Sequence, residues 1–137
     1  MTTFDPADLL SHSELFVPAE PGEATALLAS RCPGCARTAF PRTVRCPACG
    51  TGTEPVELAG PAVLDIRTAV TSAPPGAKVP APYEVGVARF AEHGICVIGL
   101  LDGPAGAGDP VRVVVAEPYP DGRIFAFRAI TDNEEYA

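Results

Sequence analysis

Tryptophan is absent from this chain of 137 residues, methionine and lysine occur once each, and there are only three tyrosines and two histidines. Uncharged apolar runs stay well short of the roughly 18 to 20 residues that a membrane helix requires. The first residues, MTTFDPADLLSHSELF, carry Asp5, Asp8 and Glu14 without a single Lys or Arg. They offer no basic n-region leading into an apolar h-region, so a secretory signal is not expected and the cytoplasm is the expected location. Bases are scarce as well: ten Lys and Arg face seventeen Asp and Glu, a formal charge of −7. A polyanion would be repelled by the chain as a whole.

The charge deficit is uneven. Residues 1–30 hold five acids and no base, whereas residues 31–50 hold Arg31, Arg37, Arg42 and Arg45 and no acid. The same twenty residues, RCPGCARTAFPRTVRCPACG, hold four of the five cysteines. Cys32, Cys35, Cys46 and Cys49 form C-x2-C-x10-C-x2-C, a spacing in which each short loop can aim both of its sulfurs at one ion. Four soft thiolates converging as a tetrahedron favour one zinc ion. Pro33 and Pro47 stiffen the two loops, and Gly50 permits a left-handed turn after the last cysteine. Two disulfides or a redox-active pair are the ordinary alternatives, disfavoured in a reducing compartment. Iron, as in rubredoxin, is the competing metal. An all-thiolate shell leaves no position open for water, so the expected role is structural.

Little else in the sequence carries chemistry. Cys96 sits in GICVIGLL among apolar neighbours and reads as a core residue, because no histidine or acid stands at motif spacing to activate it. His93 reads as a solvent-facing turn residue. GPAGAGDP lacks the GK[ST] of a phosphate loop and reads as a flexible connection. Asp65, Glu84, Asp102 and Asp109 read as solvated strand or loop acids. No catalytic set is expected.

The fold expected is mainly β. Residues 1–20 read as a short acidic, helical leader stopped by Pro18 and Pro21. Residues 24–31 read as a strand feeding the first cysteine loop. Beyond Gly60, five β-branched runs at 62–72, 83–91, 94–102, 111–117 and 123–130 alternate with Gly- and Pro-rich turns. In YEVGVARF, Tyr83, Val85, Val87 and Arg89 should share one face, with Glu84, Gly86, Ala88 and Phe90 on the other. Five such strands suggest a small closed barrel, of which the OB-fold is the common form. The expected division is a leader at 1–23, a rubredoxin-like zinc ribbon at 24–57 and a five-stranded OB-fold barrel at 58–137.

LLASRCPGC, AFPRTVRCPACG, DIRTAVTSAP, APYEVGVARF, LLDG and DPVRVVV together resemble domain-of-unknown-function family thirty-five, a zinc ribbon joined to an OB-fold. The chain has AGPAVL where that family commonly has a Gly-x-Gly entry to the barrel, and FPR where it often has PPR. Members generally accompany thiolases, thiolase-like aldolases of sterol side-chain breakdown, ketoacyl-synthase-like enzymes or acyl-CoA hydratases. The resemblance therefore implies a non-catalytic subunit in a hetero-oligomer with a thiolase-like, acyl-CoA-handling enzyme. It also implies a contact with acyl-CoA or the partner, for which Phe40, Arg42, Arg45 and Lys78 are the candidates. Arginines suit the phosphates of coenzyme A, and the pantetheine arm would lie beside Phe40 and the PPGAKVP loop. Taken singly, each arginine is more ordinarily an exposed ribbon residue. Two other functions compete: a module binding single-stranded nucleic acid, which would want a basic groove with stacking aromatics, and a rubredoxin-like electron carrier.

Overall fold

A computed structural model describes residues 15–72, 75–76, 79–120 and 122–130. Eight strands follow one another: β1 (Leu27–Arg31), β2 (Thr38–Ala39), β3 (Glu54–Leu58), β4 (Ala62–Val70), β5 (Tyr83–Phe90), β6 (Ile95–Leu101), β7 (Pro110–Tyr119) and β8 (Gly122–Ala129). No helix occurs among the described residues, and none is long and apolar enough to cross a membrane. The first three strands form an antiparallel sheet in the order β2-β1-β3. The other five close into a barrel in the order β4-β5-β6-β8-β7, with β7 pairing back onto β4 through Ala62↔Val111. Only β6 and β8 run parallel. Counted within the barrel this is first-second-third-fifth-fourth, the expected OB arrangement.

Period-two alternation explains why these runs close on a core. Along β5, Gly86, Ala88 and Phe90 are buried while Arg89 is exposed, so the two faces divide as the sequence pattern implies. The interior is filled by Leu64, Phe90, Val97, Val111, Val113, Val115, Phe125 and Phe127, with Leu27, Ala29 and Leu58 joining from the ribbon sheet. A bulge between Leu64 and Ile66 bends β4, as closing a small barrel demands. Gly99 marks a close approach: a Cβ there would lie 2.7 Å from Phe125 Cε2 and 2.8 Å from Phe127 Cε2. The Phe90, Phe127 and Phe125 rings are packed in series, with centroids 6.3 and 5.9 Å apart.

The leader departs from expectation where it can be followed. Residues 15–26 are an extended strap, with Leu15 accepting from the Leu28 amide, Val17 donating to Ala26, and Phe16 buried in the core. Gly22 and Thr25 donate to Val115 and Val113 of β7, and Arg123 holds the Ala19 carbonyl and the Glu20 carboxylate. Two prolines in four residues favour such an extended path over a helix, and burial of Phe16 fixes it. The helical expectation for residues 1–14 falls outside the described residues, as do His12 and Lys78.

The loop from Asp102 to Asp109 is also a correction. Gly108 donates to Leu64, Leu64 to Asp109, Asp109 Oδ2 accepts the Gly106 amide at 2.7 Å, and Ala105 is buried. Its backbone groups find fixed partners, so it is a folded turn and not a free tether.

Candidate metal centre and the barrel groove

Each cysteine loop is a tight turn stitched by its own backbone. Ala36 donates to the Cys32 carbonyl and Gly50 to that of Cys46, both at 2.8–2.9 Å, while Cys35 N and Ala48 N point at the sulfurs of Cys32 and Cys46 at 3.4 Å. The residue after the second cysteine of each loop turns left-handed: Gly50 at φ 77° and, in the equivalent place, Ala36 at φ 65°. Glycine takes that conformation freely and alanine does not, so the first loop is the more strained of the two.

The loops are presented by the ribbon sheet. Ser30, buried at the end of β1, accepts the Thr43 amide at 3.0 Å, Thr53 donates its hydroxyl to the Thr43 carbonyl, and Arg45 bridges Gly52. These contacts bring the second loop over the first. The four sulfurs lie within 4.8 Å of one another, with Cys32 to Cys49 at 3.4 Å and Cys35 to Cys46 at 3.6 Å. A zinc tetrahedron with bonds of about 2.3 Å has edges of about 3.8 Å, so the arrangement is sized for one zinc ion. None of the four is in a disulfide.

Charge completes the fit. The Thr51 hydroxyl and amide, then the Cys32 thiol, hold Cys49 down at about 6. Backbone amides of Cys49 and Ala48 lower Cys46. At Cys35 the Arg37 amide pulls down, but desolvation and the three neighbouring thiols together push it up to about 11. Four sulfurs this close cannot all ionise alone, and a dication releases the remaining protons.

The rubredoxin-like zinc-ribbon domain family of ChsH2 matches residues 22–54. Among solved structures, a chain of the "Ltp2-ChsH2(DUF35) aldolase" is similar at 28% identity and a TM-score of 0.60, over 76% of this chain and 84% of that one. The likeness to DUF35 proteins thus spans the zinc ribbon in sequence and the ribbon-plus-barrel arrangement in structure. A DUF35 protein of unknown function from Sulfolobus solfataricus shares the fold at 20% identity and a TM-score of 0.53, over 77% of this chain and 76% of that one. No curated protein matches the sequence.

The remaining candidates are placed as follows. Arg31, Arg37, Arg42 and Arg45 are all exposed, and Arg45 donates to the Gly50 carbonyl at 3.1 Å, tying the second cysteine loop together. Phe40 is half-buried and meets Phe125 edge-on with centroids 5.6 Å apart, so it seats the ribbon on the barrel. His93 is half-buried in the β5–β6 turn and thus less exposed than expected. Cys96 is a clear correction: it is exposed, because alternation along β6 turns Val97 inward and Cys96 outward, opposite Arg89. Apolar residues on both faces of β6 hid that parity. The acids read as solvated are engaged: Asp65 takes Arg89 Nε on both oxygens at 3.2 Å, Asp102 meets Arg128 at 2.6 Å, and Glu84 lies 3.8 Å from Arg67.

Sequence reasoning missed a groove of about 610 Å³ between β5, β6 and the β7–β8 hairpin. Gly76 and Val79 of the PPGAKVP loop line one side and Tyr119 and Ile124 the other, over Gly99 and Phe125. In OB-folds this face, with the first-second and fourth-fifth strand loops, is the usual ligand face. Among the described residues, no Lys, Arg, Asp or Glu lines it.

Proposed function

We propose that this chain is a non-catalytic subunit of a thiolase-fold, acyl-CoA-handling enzyme, and that the partner carries out the carbon–carbon bond chemistry. The observation that carries this reading is the similarity, over most of both chains, to the chain of an aldolase made with a second protein, Ltp2. A four-thiol site supports it, because a zinc ion with four sulfur ligands has no position left to activate water and serves as a staple. Cys32, Cys35, Cys46 and Cys49 are the ligands in this reading. The cytoplasm, where thiolates stay reduced, is the fitting compartment.

A finer reading concerns acyl-CoA. Arg42 and Arg45 are exposed, two and five residues along the chain from Phe40, and in this reading they take the phosphates of coenzyme A, with Lys78 outside the described residues. Charge-assisted bonds of this kind contribute enough that Arg42→Ala should raise KM for acyl-CoA roughly tenfold in the complex while leaving the complex intact. The formal charge of −7 speaks against an oligonucleotide, which needs a basic track.

The test is co-expression with a thiolase-fold enzyme of the same genome. The reading expects a stable complex with one colourless zinc per copy of this chain, and an enzyme that is inactive or insoluble alone. An enzyme fully active and soluble without this chain would sink it, and iron with a visible chromophore would favour the electron carrier.

A further inference from the structure

The two sides of the barrel treat their outward apolar residues differently. On β7 and β8, Val114 and Ala126 alternate out of the core yet are 1% and 0% exposed. The strap covers that side: Ala24 bridges Val114, and Gly22 and Thr25 hydrogen-bond to its neighbours. On β4, β5 and β6 the outward residues Ile66, Val87 and Ile98 are in direct cross-strand register, Ile66 with Val87 and Val87 with Ile98. Ile66 is 62% exposed and Ile98 68%. They are two of the three large hydrophobic residues exposed among the described residues. Outward positions of an antiparallel sheet ordinarily carry polar side chains, and single exposed apolar residues mean little. An aligned row that runs on through Val85, Ile98 and Leu100 into a groove of about 610 Å³ is the pattern of an interface.

We propose that this β4–β6 face is where the catalytic partner sits, with the groove receiving an apolar side chain from it. The proposal rests on the functional reading above. Charge selects the occupant. The adjoining Asp65–Arg89 pair cancels itself and the described residues lining the groove are uncharged, so the face asks for an apolar, uncharged protein surface. A nucleic acid or a second copy would each bring further negative charge to a chain of formal charge −7. The related chain in a two-protein aldolase makes a protein the natural occupant.

Ile66→Asp and Ile98→Asp alter exposed side chains, so both variants should fold and keep their metal, as zinc content and the amide spectrum will report. With the co-expressed thiolase-fold enzyme, each should weaken the complex by at least about tenfold and the pair by far more, while Ile98→Leu binds normally. If wild type binds and both aspartate variants bind equally well, this face is wrong and the subunit reading stands. If wild type binds no thiolase-fold enzyme, the subunit reading itself fails and takes the face with it. Three other results would also overturn the proposal: a free chain that is dimeric until Ile98→Asp, greater exposure of Ile98 on removing residues 1–14, or variants that bind the enzyme but lose acyl-CoA turnover. They would give the face to a second copy, to the leader or to the substrate.

Discussion

Between Pro33 and Thr53 only Cys46 is buried, whereas eight of the described residues from Pro110 to Ala129 are. The ribbon tip has almost no apolar interior and the barrel has a continuous one running from Leu64 to Phe127. Burial at about 25 cal/mol per Å² of apolar surface can hold the barrel, but it has too little to act on in the ribbon tip. There four sulfurs do the work, and metal binding of about 10–16 kcal/mol is ample to fold a segment of this size. One chain thus contains two regions with separate sources of order, joined where Phe40 meets Phe125.

The largest way to break the comparison is Cys46→Ser. It removes a buried ligand, and the expected result is loss of the zinc, of ribbon structure and of partner binding, with the barrel's β-sheet spectrum retained. Simultaneous loss of the barrel would mean the regions are not separate. Phe127→Ala attacks the other side. A fully buried aromatic replaced by a cavity should cost about 3–5 kcal/mol in urea denaturation, with one zinc still bound to the folded protein.

Smaller effects probe the seam and the loops. Phe40→Ala should cost about 2 kcal/mol through lost burial and the lost edge-to-face contact, and should leave zinc stoichiometry unchanged. Ala36→Gly should gain about 0.5–1 kcal/mol in the zinc-loaded ribbon, because glycine relieves the left-handed residue at φ 65° that Gly50 already occupies in the second loop. A loss there, read as faster zinc release to a chelator, would contradict the account of the two loops.

How far the sequence speaks differs between the same two regions. The cysteine spacing names all four sulfurs, since two short loops leave few other geometries for them. The barrel strands fall within two residues of the β-branched runs, because Gly and Pro punctuate them and alternation sets their inner faces. What escaped depends on closure. Asp65 with Arg89, 24 residues apart, becomes a pair only when β4 lies beside β5. Cys96 looks buried in GICVIGLL because apolar residues occupy both faces of β6, and only the ladder to β5 fixes which face is which. The strap from Leu15 to Ala26 follows from contacts with β7 about ninety residues away. Phe40, a candidate ligand contact by resemblance, has a packing partner 85 residues later. The groove is likewise assembled from four separate stretches of chain, each unremarkable alone.

Amide hydrogen exchange on the zinc-loaded protein, before and after a zinc chelator, tests the central claim most directly. The account predicts that protection is lost across residues 32–53 and kept in β5 to β8. Protection lost throughout, or unchanged in the ribbon, would contradict it.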